Sequence, residues 1–299
     1  MDICGGNMHL LRCLFILTSF FLIVSSYQVT KSGIYILGTV INSERFIDKV
    51  VGNFLKVAAL FNDYRIVCFA GKSTDNTTGK LYSWRSLDAN IVILENITEV
   101  SGPRTSKISN ARNSLLQYVK RHNSNLKWKY FIMADMDDTN AAPIKTDILK
   151  FHFKKNTEWD AVSFNRRWYY DLWALSIHPY LISCFHWDKL SLVLRKMQQA
   201  IDTALLNMSH GNDFLPCESA FNGFAIYKIE KFINCHYEWK FGAAFSLLTA
   251  TQVTANAEAL SPAKLSNVPN SEDCEHRFFH FQARSKNNAR IVISKHMIF

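Results

Sequence analysis

The sequence predicts an α/β protein: one mixed, mainly parallel sheet flanked by helices, in a single domain. Three observations carry this expectation. Apolar runs alternate with helical periodicity between residues 33 and 94 in the order strand, helix, strand, helix, strand, the Rossmann-like order that gives parallel pairing. A chain of 299 residues with 48% hydrophobic content is long and apolar enough to bury a substantial core. The run Tyr130 to Ala134 has the composition of a strand buried on both faces, and it stops abruptly at three carboxylates, Asp135, Asp137 and Asp138.

The first 26 residues read as a targeting segment. Leu10 to Val24 is almost wholly apolar and ends at Ser25 and Ser26. That is short for a membrane span of roughly 20 residues and suits a signal peptide, or an uncleaved signal anchor holding the chain to the membrane through residues 10–26. Either form leaves residues 27–299 facing the secretory lumen, endoplasmic reticulum or Golgi, anchored or secreted. Three Asn-x-Ser/Thr sequons, at Asn76, Asn96 and Asn207, agree with that. Cys4 and Cys13 fall in the leader, leaving Cys68, Cys184, Cys217, Cys235 and Cys274. An odd number in an oxidising compartment predicts a free thiol, and Cys68 fits that role because it lies in an apolar strand. The net charge of +9 favours anionic partners, with no Lys/Arg block or motif to suggest nucleic acid.

Taken in order, the domain opens with a strand from Gly33 to Val40. Asn42-Ser43-Glu44 then starts a helix that runs to about Phe61. A strand from Tyr64 to Ala70 precedes the polar stretch Gly71 to Thr78, whose Asp75 is either part of a turn beside a glycan or an acceptor for a base or ribose. A helical stretch around Lys80 to Leu87 leads to the strand Asn90 to Leu94. Ile108, Ala111, Arg112, Leu115, Leu116 and Val119 then share one helix face. Arg112 sits on that apolar face. A guanidinium stays charged, so it needs an anionic partner there: Asp135 or Asp137 on the next strand, or a bound diphosphate.

The acids after Ala134 stand where open α/β sheets bind ligands, outside the carboxyl ends of the strands. Carboxylates so close repel one another and suit a divalent cation carrying a phosphate-bearing ligand. Beyond them, Asn140 to Pro143 breaks the chain, Thr146 to Lys154 reads as a helix, and Trp159 to Phe164 as a strand. Arg166 to Leu175 mixes aromatic and polar residues in the way sugar sites do, with core packing and an Asp171 cap as the alternative. A helix from Asp188 to Met208 is expected over the site. Cys217 to Tyr227 is a loop entering a strand, with Glu218 just before Asn222-Gly223. His276 and His280 are four apart, as metal ligands or structural residues. The basic tail from Arg284 to Lys295 reads as a solvated edge or a cover on the diphosphate side.

Arg104, then Ala111-Arg112-Asn113 on a helix, then an aromatic strand ending in Asp-x-Asp resembles the pattern of GT-A glycosyltransferases of the Anp1 and capsule-associated mannosyltransferase type. The resemblance spans roughly residues 33 to 281 at the level of ordered motifs. It implies a GT-A fold, a nucleotide-sugar donor, a carbohydrate or glycoprotein acceptor, and Mn2+ or Mg2+. It also implies donor contacts from Asp75, Arg104, Arg112, Asn113 and Asp135, and metal ligation by Asp135 and Asp137 with His276 or His280. Asp171, beside the donor sugar, and Glu218, on the acceptor side, are the implied catalytic carboxylates. His276 is the favoured imidazole, its second ring nitrogen steadied by Glu272, Asp273 or Glu275. Two rivals stand beside this reading. A nucleotidyltransferase would need a Gly-rich phosphate loop after the first strand, which Gly38-Thr-Val-Ile-Asn42 lacks; a lumenal carbohydrate-binding protein would keep the fold without catalysis.

Overall fold

The computed structural model describes residues 30–95, 101–125, 127–182, 184–266 and 271–299. The leader 1–26 and the sequon at Asn96 lie outside the described residues. One eight-stranded sheet runs through the rest, in the order β3-β2-β1-β4-β7-β5-β8-β6. Its strands are β1 (Thr30–Val40), β2 (Phe61–Ala70), β3 (Ile91–Glu95), β4 (Tyr130–Asp135), β5 (Ala161–Phe164), β6 (Phe214–Cys217), β7 (Phe224–Lys228) and β8 (Ile291–Ser294). Strands β1 to β4 are mutually parallel, β7 runs against both β4 and β5, and β8 is parallel to β5 and antiparallel to β6. The mixed, mainly parallel sheet expected from the sequence is therefore present.

Strand periodicity puts alternate residues on opposite faces, and each face has its own core. Ile34 and Ile36 of β1 join Tyr130 and Ile132 of β4 on one face, while Tyr35, Leu37, Phe131 and Met133 take the other. The first face is covered by α1 (Glu44–Ala58), which buries Ile47, Val50, Phe54 and Val57, by α2 (Thr77–Leu87) through Leu81, and by α4 (Thr146–Lys154) through Leu149 and Phe153. The second is covered by α3 (Arg104–His122) and α5 (Leu190–Leu206), whose Val193, Met197 and Ile201 point inward. Short helices α6 (Ile229–Phe232), α7 (Phe241–Phe245) and α8 (Ala250–Leu260) lead to α9 (Glu275–Asn287), which packs on that same face.

Helix α1 stops at Ala58 rather than near Phe61, because Phe61 already pairs with Thr30 at the start of the β1–β2 ladder. The stretch from Arg284 to Lys295 is neither a solvated edge nor a diphosphate cover. It ends α9 and forms β8, an interior strand between β5 and β6. Cys68, Cys217, Cys235 and Cys274 are buried free thiols, with burial pushing that of Cys68 up to about 12. Among the described residues no helix is long and apolar enough to cross a membrane.

Candidate active site

The chain order explains where the site lies. From β1 the chain moves outward through α1 and α2 to β3, then returns through α3 on the opposite face to place β4 on the other side of β1. The connections leave β1 and β4 in opposite directions, and a crevice opens at the carboxyl ends of these two strands. Thr39 and Asp135, register partners across that step, both line a cavity of about 1260 Å³. The same cavity is lined by Asp137, Asp171, Glu275, His276, Arg104 and Arg112.

Arg112 is the centre of its floor. The side chain is 4% exposed and donates to Asp135 Oδ1 at 2.7 Å through Nη2, while Nη1 reaches both Glu275 and the Nε2 atom of His276. Its guanidinium also lies 4.6 Å over the Phe221 ring, on which His276 stacks at 3.7 Å. Burial opposes its charge, but Glu275 and Asp135 outweigh that and raise its pKa. Since Nε2 of His276 accepts from a guanidinium, that ring is neutral with its proton on Nδ1; burial, then Arg112, hold its pKa well below the usual value. One cation thus serves several acids. Burial pushes Asp135 up to about 7 despite Arg112, and also raises Asp171 and Glu275.

The loops around these acids are fixed from behind. Asn140 donates to the carbonyls of Asp135 and Gly223, and Asp137 Oδ1 accepts from Thr139 N at 3.0 Å to start the single turn Asp138–Asn140. Arg166 ties that turn to the opposite strand, donating to the carbonyls of Thr139 and Asn222 and to Asn140 Oδ1. Asn222, at φ 55°, accepts from the amides of Tyr170 and Asp171 and donates to Phe164 O, so one side chain carries the Asp171 segment. Gly223 follows at φ 85°, and a Cβ there would run into Thr139. The glycine serves close approach to the acidic turn rather than to a ligand.

The structure brings together Asp135, Asp137, Asp171, Arg104, Arg112 and His276, and separates the other predicted residues from them. Asp75 is a local clamp outside the main cavity: it accepts from Glu44 N and from Thr77, joining the starts of α1 and α2. Asn113 exchanges two hydrogen bonds with the Tyr237 backbone, which turns its amide toward that segment, and it does not line the cavity. Glu218 pairs with Arg284 and does not line the cavity, so the acceptor-side role implied for it is not supported by its position. His280 is fully buried between Ser219 Oγ and Tyr227 OH, in the core rather than at the acids. The second nitrogen of His276 has no partner among the described residues; Glu272 instead bonds Thr105, and Asp273 bonds Arg277. Sequence reasoning missed Glu275 as a partner of Arg112, and Lys72 and Lys107 as cavity cations. Arg104 and Lys107, one helical turn apart on α3, and Lys72 are exposed and make no ion pair among the described residues. The Arg104–Lys107 spacing was available as a signal; the Arg112–Glu275 contact, across the whole domain, was not.

Among the described residues no group of three or more His, Cys, Asp or Glu side chains is arranged to hold a metal ion. Arg112 accounts for this, since it takes up Asp135, Glu275 and His276 together. What the edge offers is a pair of hard carboxylates, Asp135 and Asp137. That set does not fit an all-protein cage, but it fits Mg2+ or Mn2+ bound through one or two carboxylates with diphosphate and water as the remaining ligands.

No protein-family profile and no curated protein matches the chain. Among solved structures it is similar to S. aureus TarS residues 1–349 in complex with UDP-GlcNAc, at 15% identity and TM-score 0.45, covering 89% of this chain and 56% of that one. It is similar also to glucosyl-3-phosphoglycerate synthase from Mycobacterium tuberculosis in complex with UDP, at 13% identity and TM-score 0.38, covering 67% of this chain and 58% of that one. A third is the mannosyltransferase PcManGT from Pyrobaculum calidifontis in complex with GDP-Man and Mn2+, at 11% identity and TM-score 0.38, covering 89% of this chain and 76% of that one. The chain thus spans little more than half the length of the first two.

Proposed function

We propose that this chain is a GT-A type glycosyltransferase that moves a sugar, most simply a hexose, from a nucleotide-sugar donor to a carbohydrate or glycoprotein acceptor. The observation that carries the reading is a single one. Asp135 and Asp137 end a strand at the switch point of the sheet and open on a cavity that also holds Lys72, Arg104 and Lys107, cations with no ion pair among the described residues. Fixed positive groups facing developing negative charge are what loss of a nucleoside diphosphate requires. In this reading Asp135 and Asp137 hold Mn2+ or Mg2+, which when bound neutralises the departing diphosphate. Arg104 and Lys107 bind phosphate oxygens from the other direction. To Asp171 we assign the proton of the acceptor hydroxyl: burial raises its pKa, its Oδ1 accepts from Ala174 N at 3.0 Å, and Asn222 fixes its backbone. The apolar leader expected at residues 1–26 would bring the enzyme to the secretory lumen.

Donor hydrolysis tests this. UDP- and GDP-sugars are incubated with the protein and Mn2+, and nucleoside diphosphate release is measured, with EDTA as control. Release that EDTA abolishes is the expected result. Nucleotide binding without release, for every donor and with acceptor mixtures present, would leave the non-catalytic carbohydrate-binding reading instead.

A further inference from the structure

The cavity has a second wall that the donor chemistry does not use. Ile108 of α3, Leu172 and Trp173 of the loop after β5, Phe185, and Leu194 of α5 all line it, with Tyr170 at the junction with the acids. Among the described residues nothing covers this surface: Phe185 is 55% and Tyr170 57% exposed, and Ile108, Leu172, Trp173 and Leu194 are only partly buried. Apolar surface of this kind, continuous with a polar reaction centre, marks a ligand-binding face.

Its chemistry narrows the ligand. Ile108, Leu172, Phe185 and Leu194 offer no side-chain hydrogen-bonding group, and the indole N–H of Trp173 is buried without a partner among the described residues. Sugar hydroxyls laid there would lose water and gain nothing in return. A nucleobase or aryl ring would want two parallel faces to slot between. Instead Trp173 and Phe185 meet edge to face, 4.9 Å between centroids at 61°, each engaged with the other. Branched aliphatic side chains beside such a pair form a surface that an alkyl chain covers well.

We infer that the acceptor is an amphiphile: the hydroxyl that receives the sugar is carried on an alkyl chain, and the chain lies along the wall formed by Ile108, Leu172, Trp173, Phe185 and Leu194. This rests on the glycosyltransferase reading, with the acids end of the cavity taking the donor and Tyr170 marking the boundary between the two halves.

The test compares methyl, hexyl and octyl β-D-glucopyranoside, all below micelle-forming concentration, binding to the full chain by titration calorimetry. Nucleotide binding is followed separately by thermal shift with UDP or GDP and Mn2+. The expected result is an affinity that rises at least tenfold from methyl to octyl, about what burial of two further methylenes alone would give at ~0.8 kcal/mol each. Saturating nucleotide leaves that rise in place, and Phe185→Ser removes most of it. Since Phe185 is more than half exposed, the serine variant keeps the fold; Leu194→Asn, on a separate element, should act in the same direction. Equal affinity for all three glucosides while nucleotide still binds would overturn the inference and spare the enzyme reading. Displacement of the octyl glucoside by nucleotide would give the wall to the base, and overturn it too. Binding of the octyl compound only after residues 1–26 are removed would assign the wall to the chain's own apolar leader. Absence of any nucleotide binding would remove the enzyme reading itself.

Discussion

The two halves of the sheet treat buried carboxylates in opposite ways. In the half built from β5 to β8, Asp213 and Asp160 each meet more than one cation. Asp213 accepts from Lys155 at 2.6 Å, Lys295 at 3.2 Å and His296 at 3.1 Å, and these hold its pKa below the usual range despite burial. Asp160 is met by Lys228 and Arg290 and titrates down at about 2, again against its burial. At the β1–β4 edge, Asp135 and Glu275 share Arg112, and burial raises the pKa of both and of Asp171. Where acids are fully matched they stabilise the fold; where they outnumber the cations bonded to them the fold holds them at a cost.

The strongest way to break this comparison is Arg112→Met. Removing the one shared cation strands buried carboxylates, and the expected loss is roughly 3–5 kcal/mol in denaturant unfolding. The sequence left the arginine's partner open between a carboxylate and a bound diphosphate; the Glu275 contact is what raises the structural cost. Adding Glu275→Gln should recover part of the loss, and no recovery would mean that the cost comes from packing on Phe221 instead. In the matched half, Asp160→Asn should cost about 3 kcal/mol, because two cations lose their partner, and leave nucleotide thermal shifts unchanged. At the site edge, Asp137→Asn keeps an oxygen to accept from Thr139 N, so the melting temperature should hold within a few degrees. Transfer or donor hydrolysis should nonetheless fall about 100-fold, equivalent to about 2.7 kcal/mol of barrier. Full activity in folded Asp137→Asn would end the idea that this edge is the unfinished one.

A further test of the matched half concerns pH. His152, in the matched half, is buried between Ile148 O and Ser294 Oγ, and burial lowers its pKa from 6.5 to about 4. The unfolded chain therefore binds the proton first. Stability is full above pH 6.5 and is lost as pH falls toward 4, by roughly 3 kcal/mol across that window. Replacing His152 with Gln should flatten the slope of unfolding free energy against pH between those limits. An unchanged slope would place the acid sensitivity elsewhere.

The first half of the fold was readable because its information is local. Each strand of β1 to β3 is an apolar run, each connecting helix has one apolar face, and the acids follow β4 directly. Arg112 was recognisable as an oddity on an apolar stripe, and Asp135 was named as one partner. The second half was opaque because its pairing is not local. Nothing in the sequence of Phe224–Lys228 says that it slots antiparallel between β4 and β5. Nor does Asn222 announce that its side chain will hold the Asp171 backbone. The misassigned residues share one cause: Asp75, Asn113 and Glu218 have polar ends already engaged by partners remote in sequence, namely Glu44 N, the Tyr237 backbone and Arg284.

The switch in strand order also sets a timetable for biosynthesis. Strands β1 to β4 form one parallel unit from residues 30 to 135. Asp135 and Arg112 are therefore both synthesised before most of the second half exists. Strand β5 must wait longer, since both of its neighbours, β7 and β8, are translated after it. Glu275, on α9, reaches Arg112 only after the residues of β5 to β7 have also been made. A nascent chain paused before residue 275 would lack one of the two carboxylates that Arg112 bonds, so arrival of α9 is the event that closes the acidic edge around its arginine.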